Sequence, residues 1–290
     1  MPELPEVETT IRDLSPQITG RKIIDAWTDT PKLIKNLSFN EFKKLIKNKK
    51  ILKLERRGKN ILIFLSDNYL LLIHQKLTGH LLYGIWEKKN NSWQPKTNQD
   101  TLSDPYNRFI HLILLLDNKK MLALSDMRKF AKIVLGKTDK VIKTEGIDTL
   151  GIDPLSKDFT AQKLEEILKN QDRPIKTVLM DQNLISGIGN IYSDEILWLA
   201  KISPLRKAKD VKKEEIKTLY RAIKEVLKKA LSLHGASIID YRRPDGSKGK
   251  VDSVLKVYRK TGQKCSRCGG IIKRVVINGR SAHYCPKCQK

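Results

Sequence analysis

Apolar residues near the beginning of the chain recur every three to four positions, which is the period of an amphipathic helix. The residues that share this face are Leu4, Val7, Ile11 and Leu14. Glutamates fill the first turns, where they suit the positive end of a helix dipole. Pro2 and Pro5 are compatible with a helix only at its start. The pattern predicts a helix that begins within the first few residues.

After Gly20 the pattern changes to short apolar runs separated by turn residues. Each run has the length of a strand, and runs at this spacing are typical of a β-sandwich or barrel. The predicted strands include residues 23–24, 61–65, 69–74, 81–85, 109–116, 121–124 and 131–135. The stretch 87–104 is polar and is predicted to be a surface loop with little strand.

The helical period returns in the second half of the chain, at residues 164–168, 190–199 and 216–231. Between the two patterns lies a glycine-containing stretch without periodicity, which is typical of a linker. The sequence therefore predicts an α+β protein in four parts: a sandwich domain at 1–135, a linker at 136–156, a helical domain at 157–250 and a terminal segment at 251–290.

The chain is strongly basic, with 57 Lys and Arg against 32 Asp and Glu and a net charge of +25. After Ala200 there are 25 of the basic residues and 7 of the acidic ones. Such an excess is typical of proteins that bind a polyanion, and nucleic acid is the first candidate. No apolar run approaches the roughly 18 residues needed to span a bilayer, and the acidic beginning is unlike a secretory signal. We expect a cytoplasmic protein without a membrane partner.

All four cysteines lie near the end of the sequence, as two Cys-x2-Cys pairs. This spacing is typical of a zinc ribbon, in which four thiolates bind Zn²⁺ in a tetrahedron. The predicted ligands are Cys265, Cys268, Cys285 and Cys288. A closed set of four sulfur ligands has no open position for a substrate. We therefore predict one structural zinc ion that takes no part in chemistry.

Two further features suggest chemistry, although each has a simpler interpretation. The glycines before Asn190 would let backbone N–H groups at a helix start bind a phosphate, but a glycine-rich helix start is more often only a tight connection. Pro2 would carry a secondary amine of pKa about 8 if Met1 were removed, and such an amine is a usable nucleophile. Taken alone, Pro2 is better explained as a residue that starts a helix.

Together these motifs resemble bacterial formamidopyrimidine-DNA glycosylases. The resemblance rests on residues 2–9 (Pro-Glu-Leu-Pro-Glu-Val-Glu-Thr), 185–192 (Ile-Ser-Gly-Ile-Gly-Asn-Ile-Tyr) and 279–288, which contain the second cysteine pair. Residues 57–60 and 150–155 also match, and all motifs follow in the expected order along the whole chain. The resemblance implies a β-sandwich domain, a helix–two-turns–helix domain and a β-hairpin zinc finger.

The resemblance also implies an activity. Such enzymes remove 8-oxoguanine and formamidopyrimidines from duplex DNA and then cleave the strand by β- and δ-elimination. By the family's pattern, Pro2 attacks C1′ of the damaged nucleotide and forms a Schiff base, Glu3 transfers protons, and Glu6 holds the catalytic segment. Lys59 is expected to belong to the catalytic set.

Further residues of the family pattern are expected to contact DNA. Lys59, His74, Asn190 and Arg280 would clamp the phosphates that flank an extruded nucleotide, and extrusion requires such contacts. Leu77, Arg128 and Phe130 would enter the base stack. Lys176 and Tyr241 would lie near the damaged nucleotide, with Tyr241 in a loop at 237–252 that closes over the base.

The sequence departs from the family pattern at two places. Leu77 stands where the family usually has Met, so the lesion range and opposite-base preference do not follow from the resemblance. The polar stretch 87–104 is longer than the family requires, and its residues suggest no function. The expected partner is double-stranded DNA containing oxidised bases, bound by a monomer in the bacterial cytoplasm and nucleoid.

Two alternatives remain open at this point. One is an endonuclease VIII-like glycosylase for oxidised pyrimidines or hydantoins, although that branch usually has Gly in place of Leu4. The other is a zinc-containing protein that binds damaged DNA without cutting it. A binder would share the charge, the finger and Asn190, but it has no need for Pro2 and Glu3.

Overall fold

The computed structural model describes residues 1–90, 92–96, 100–238 and 240–290. The chain forms two compact units: the first contains residues 1–148 and 233–252, and the second contains residues 149–232 and 253–290. This division differs from the sequence-based one, which assigned residues 233–250 to the helical domain. We call residues 233–252 the return segment, because after the helices of the second unit the chain comes back to the first.

The first unit is a β-sandwich with a helix at its beginning. Its helices are α1 (Leu4–Ile18), α2 (Phe39–Ile46) and α3 (Thr138–Thr144). Its strands are β1 (Ile23–Thr28), β2 (Ile51–Arg57), β3 (Asn60–Leu65), β4 (Tyr69–His74), β5 (His80–Gly84), β6 (Trp86–Lys89), β7 (Ser92–Pro95), β8 (Ile110–Leu116), β9 (Met121–Ser125) and β10 (Lys132–Lys137). Four-stranded antiparallel sheets have the orders β1-β8-β9-β5 and β10-β4-β3-β2.

One hydrophobic core joins both sheets to α1. Val7 and Leu14 of α1 are fully buried there together with Ile63 of β3 and Leu124 of β9. The apolar period of the first residues thus points α1 into the sandwich, which fixes the beginning of the helix at one place on the unit. The predicted helix and the predicted sandwich are both confirmed.

The prediction of a surface loop at 87–104 was wrong for most of its length. Strands β6 and β7 form a hairpin, and helical turns follow at Asp100–Ser103 and Pro105–Arg108. Trp93 packs edge-on against Trp27 with ring centroids 5.2 Å apart. These aromatic contacts stabilise a hairpin that its polar residues do not predict. Residues 91 and 97–99 lie outside the described part.

The second unit is helical and ends in a β-hairpin. It consists of α4 (Ala161–Lys169), α5 (Ile175–Met180), α6 (Asn190–Ala200), α7 (Lys213–Ser232), β11 (Lys273–Ile277) and β12 (Arg280–Tyr284). Helix α6 is buried on nearly every side, as expected of a central helix. Within the ranges given above, no helix combines the length and apolar character that crossing a bilayer requires.

Candidate active site

Pro2 and Glu3 directly precede α1, and both are buried. The Glu6 carboxylate accepts the Glu3 N–H at 2.7 Å and the Ala236 N–H of the return segment at 2.7 Å. Gly235 lies so close that a Cβ there would stand 2.8 Å from Glu6 Oε1. Its φ of +80° is left-handed, so the position favours glycine. Glu6 thus ties the start of the helix to a segment about 230 residues away in the chain.

Tyr241 also holds this region. Its hydroxyl donates to the Glu6 carbonyl oxygen at 3.1 Å, and Thr10 Oγ1 donates to the same oxygen at 2.9 Å. Burial raises the pKa of the Tyr241 phenol. Tyr241 is 5 % exposed, and its hydroxyl is directed toward the helix start; its predicted contact with DNA stays a prediction. Residue 239 of the predicted loop at 237–252 lies outside the described residues.

Lys59 and His74 lie at the same end of the second sheet. The register pairs His74 with Asn60 of β3 and with Lys132 of β10, which places Lys59 and Lys132 beside the histidine. Burial, Lys76, Lys59 and Lys132 lower the pKa of His74 to about 3. Its Nδ1 accepts the Lys76 N–H at 3.0 Å. The neutral ring therefore carries its proton on Nε2, which is a donor suited to an anion.

Leu77, Arg128 and Phe130 lie on two neighbouring connections between the sheets. One connection joins β4 to β5 and the other joins β9 to β10, and β5 pairs with β9. Thr78 Oγ1 bonds the buried Asp126 carboxylate and accepts the Arg128 N–H at 3.1 Å. Leu77 is 36 % exposed and Phe130 is 49 % exposed. The structure thus brings the three predicted intercalating residues together at one edge.

Arg128 and Phe130 also contact each other, since the guanidinium carbon lies 4.6 Å from the ring centroid. Sequence reasoning missed the support of this edge. Asp126, which is fully buried, accepts the Ala131 N–H at 2.8 Å as well as the Thr78 hydroxyl. The one feature of the sequence that points to Asp126 is its place two residues before Arg128. Nothing in the sequence indicates that Met127 is 45 % exposed.

Asp240 is a further residue that the sequence did not single out. Its Oδ1 is buried, and it has no hydrogen-bond partner among the described residues. Burial raises the pKa of Asp240, while the N-terminal amine, Arg242 and Arg128 oppose that rise. Asp240 therefore lies within electrostatic range of both the beginning of the chain and the Arg128 connection.

In the second unit, Asn190 is the first residue of α6. Gln182 fixes the loop before it by accepting the Gly187 N–H at 2.8 Å and donating to the Ile188 carbonyl at 2.9 Å. The Asn190 Oδ1 is buried without a hydrogen-bond partner in the part of the chain that is described. Because Oδ1 can only accept a hydrogen bond, an anionic ligand at this helix start would be bound by a donor such as the Asn190 Nδ2.

Lys176, which the sequence predicts near the damaged nucleotide, is buried. Its side chain is 1 % exposed, and its Nζ bonds Asp194 Oδ1 at 2.5 Å and Ser193 Oγ at 3.1 Å. Asp194 Oδ2 accepts both the backbone N–H and the Nδ1–H of His283 at 2.9 Å. The lysine and its carboxylate thus join α5, α6 and β12.

Arg280 lies at the exposed turn of the β11–β12 hairpin. Asn278 Nδ2 donates to Thr177 Oγ1 at 3.2 Å, so the turn lies against α5. Lys176 of the same helix reaches the Asn190 carbonyl at 3.4 Å. Asn190 and Arg280 are therefore linked through α5 within one unit.

The four cysteines are brought together as predicted, with all Sγ atoms within 4.8 Å of one another. Cys265 and Cys288 are 3.9 Å apart and Cys268 and Cys285 are 3.5 Å apart. A tetrahedron with Zn–S distances of about 2.3 Å has edges of about 3.8 Å, so the cysteines fit a zinc ion. Trp198 Nε1 donates to Cys265 Sγ at 3.3 Å, which joins the site to α6.

Comparison with known families agrees with this architecture. The model of the formamidopyrimidine-DNA glycosylase N-terminal domain matches residues 1–133, the H2TH domain of the same enzymes matches 150–242, and a zinc finger found in these glycosylases and in isoleucyl-tRNA synthetase matches 262–290.

Whole-chain relatives are equally consistent. The chain is 40% identical over 290 residues to the formamidopyrimidine-DNA glycosylase of Pelotomaculum thermopropionicum, covering 100% of this chain and 99% of the relative. The enzyme of Chloroflexus aurantiacus is 39% identical, and the match covers 100% of this chain and 98% of that enzyme. A Lactococcus lactis enzyme variant in complex with DNA containing Fapy-dG has a TM-score of 0.85 at 35% identity, covering 100% of both chains.

Two other solved structures are also complexes of the Lactococcus lactis enzyme. One complex has DNA with an abasic site, with a TM-score of 0.85 at 35% identity over 99% of both chains. The other has DNA with an oxidised pyrimidine, with a TM-score of 0.84 at 35% identity over 100% of both chains.

A helix-led sandwich, a helical H2TH unit and a four-cysteine zinc finger define a base-excision DNA glycosylase with a zinc finger. The chain belongs to the formamidopyrimidine-DNA glycosylase family. It is a DNA glycosylase and AP lyase that acts on oxidised purines in base-excision repair.

Proposed function

We propose that the chain excises 8-oxoguanine and formamidopyrimidines through the amine of Pro2. The observation that carries this proposal is the bridge that Glu6 makes between the Glu3 N–H and the Ala236 N–H. Because both oxygens of this buried carboxylate are occupied by backbone donors, Pro2 and Glu3 are held in one position before α1. A fixed nucleophile beside a carboxylate is the arrangement that covalent catalysis requires.

In this mechanism the Pro2 nitrogen bonds to C1′ as the N-glycosidic bond breaks, and the base leaves with that electron pair and a proton. Opening of the sugar ring gives an iminium between Pro2 and C1′. Removal of a C2′ proton then expels the 3′ phosphate, and a second elimination expels the 5′ phosphate. Glu3 would carry protons to and from the sugar.

The protein would contact the DNA at its phosphates and within its base stack. Lys59, His74, Asn190 and Arg280 would bind phosphates, because they provide cationic or neutral donors at strand ends and at a helix start. Leu77 and Phe130 would enter a base step, and Arg128 would pair with the orphaned cytosine. Lys176 would act by supporting Asn190 rather than by touching DNA.

The remaining features of the proposal concern the zinc finger and the cellular setting. One structural zinc ion, held by the four cysteines, would fix the hairpin that carries Arg280. The protein would act as a monomer on double-stranded DNA that contains oxidised bases. Its site of action would be the bacterial cytoplasm, at the nucleoid.

Borohydride trapping tests the nucleophile on a duplex with 8-oxoguanine opposite cytosine. We expect a covalent adduct from the chain that begins at Pro2 and none from a form that retains a residue before it. Glu3→Gln should slow the reaction about 100- to 10,000-fold, which is the range for loss of an acid–base group. The matched control is Glu55→Gln, which removes an exposed carboxylate from a surface ion pair. Equal adducts from both forms would place the nucleophile elsewhere.

Oxidised pyrimidines are a second candidate substrate class. The observation in favour is the complex of the Lactococcus lactis enzyme with DNA that contains an oxidised pyrimidine. Excision rates on matched duplexes, each with one oxidised purine or one oxidised pyrimidine, distinguish the two classes. We expect the purine duplexes to react faster, and the reverse order would favour the endonuclease VIII-like activity. Binding without an adduct on every duplex would favour a non-catalytic binder.

A further inference from the structure

Residues 100–107, at the end of the unusually long polar stretch, have no part in the chemistry proposed above. They nevertheless make two of the described polar contacts to the turn at 243–246 of the return segment. Thr101 Oγ1 donates to the Asp245 carbonyl at 2.6 Å, and Asn107 Nδ2 donates to the Gly246 carbonyl at 3.3 Å. The backbone of Tyr83 donates to the Pro244 carbonyl at 2.8 Å.

Gly246 shows how closely the two segments approach. Its φ is +84°, and a Cβ at this position would stand 2.4 Å from the Thr101 carbonyl oxygen. Both the left-handed conformation and the lack of space require glycine. The turn is therefore shaped to lie against residues 100–107.

Arg242 is the centre of this contact. Its side chain is 1 % exposed, and its guanidinium lies 3.0 Å from the Asp104 carboxylate and 4.7 Å from the centroid of the Tyr106 ring. Burial acts to raise the pKa of Asp104, but the hydrogen bond and charge of Arg242 lower it below its usual value. A buried guanidinium that is both paired and stacked is held firmly in place.

The same guanidinium leads directly to the candidate active site. Arg242 Nη1 donates to the Tyr241 carbonyl at 2.9 Å, and the Tyr241 hydroxyl donates to the Glu6 carbonyl. Ala236, at the other end of the segment, donates its N–H to the Glu6 carboxylate. The Gly249 N–H donates to Ser237 Oγ at 2.8 Å, which closes the segment on itself.

We propose that Asp104 and Tyr106 are positioning residues for base excision, which hold the return segment through Arg242 and thereby fix Glu6, Glu3 and Pro2. This inference rests on the proposed function, because it assigns the fixed position to the Pro2 nucleophile. It also gives the long polar stretch a function that its sequence does not suggest.

The test is single-turnover excision with saturating enzyme, with DNA affinity and thermal unfolding measured on the same samples. Asp104→Asn keeps the oxygen that accepts the Tyr106 N–H at 3.0 Å but loses the charge that pairs with Arg242. We expect the rate to fall about 10- to 100-fold, as for a displacement of about 1 Å at a reacting centre, while the DNA dissociation constant changes less than about threefold.

Tyr106 provides an independent pair of variants. Tyr106→Leu removes the ring that stacks on Arg242 and should slow the reaction, whereas Tyr106→Phe keeps the ring and should restore the rate. Glu55→Gln changes the net charge as Asp104→Asn does and controls for electrostatic attraction to DNA. If Asp104→Asn fails to fold, the comparison of Leu with Phe at Tyr106 decides the question.

The outcomes separate this inference from the proposed function. An adduct from the parent chain, together with parental rates in Asp104→Asn and Tyr106→Leu, would overturn the positioning role alone. A loss of affinity without a change in the saturated rate would also overturn it. Failure of the parent chain to form an adduct would instead overturn the proposed nucleophile.

Discussion

Each unit contains a cluster in which a buried lysine lies near a histidine, and the two clusters are built in opposite ways. In the first cluster, Lys59 and Lys132 lie beside His74, and these charges help burial to lower the pKa of the ring to about 3. In the second cluster, the Asp194 carboxylate lies between Lys176 and His283 and bonds both. The carboxylate makes the second cluster a structural joint.

In the first cluster, the charged groups that act on the His74 pKa are the lysines Lys76, Lys59 and Lys132. Positive charges that face a neutral N–H donor form a site that an added anion would stabilise. A DNA phosphate is such an anion. The comparison therefore indicates that burial of a lysine does not by itself reveal its role, and that the carboxylate shared with His283 is what makes Lys176 structural.

The largest expected effect comes from breaking the second cluster. Lys176→Met leaves the buried Asp194 charge without its lysine, so we expect the second unit to lose about 3–5 kcal/mol of unfolding free energy. Amide hydrogen exchange in α6, measured by mass spectrometry, reports this loss. Lys163→Met, in an exposed ion pair with Glu166, should change it by less than about 1 kcal/mol. Unchanged exchange in Lys176→Met would show that the buried pair does not stabilise the second unit.

The next effect concerns the first cluster, where His74 should make the free energy of unfolding depend on pH. His74 in the unfolded chain binds a proton near pH 6.5, but in the folded chain it does so only near pH 3. Acid therefore favours unfolding in this window, and between pH 7 and pH 5 His74 should cost about 2 kcal/mol of stability. His74→Gln should remove that part of the loss in urea unfolding.

A residual pH dependence is expected in this variant. Burial also lowers the pKa of His80, to about 4, so His80 still destabilises the folded state in acid after His74 is replaced. Identical pH profiles for the parent chain and His74→Gln would mean that His74 titrates normally. Burial and the neighbouring lysines would then not affect the proton on His74.

The sequence predicts those parts of the structure whose interactions are short-range along the chain. The cysteine spacing determines the metal site, and the apolar period determines α1, because both act over short distances along the chain. The partners of Glu6 and Lys176 could not be predicted. Glu6 reads as a helix-dipole residue, and its Ala236 partner is distant in sequence. Lys176 reads as a basic residue for DNA, because Asp194 gives no sign that it is buried.

The prediction for residues 87–104, where β6 and β7 form a hairpin, was wrong for a similar reason. Its polar residues predict a loop, but Trp93 finds Trp27 on another strand. The three intercalating residues could be located only through the family pattern, since exposed Leu77 and Phe130 resemble core positions in a sequence. Their grouping at one edge depends on the Thr78–Asp126 hydrogen bond, which joins two separate connections.

The smallest expected effect is on the salt dependence of DNA binding, and it tests whether the first cluster binds a phosphate. If Lys59 neutralises one phosphate, Lys59→Met should lower the slope of log affinity against log salt by about 0.9 and weaken binding about tenfold at low salt. Lys53→Met, which removes a 58% exposed lysine from β2, should leave the slope unchanged. Fluorescence anisotropy across a salt series measures both. A parental slope in Lys59→Met would show that Lys59 neutralises no phosphate.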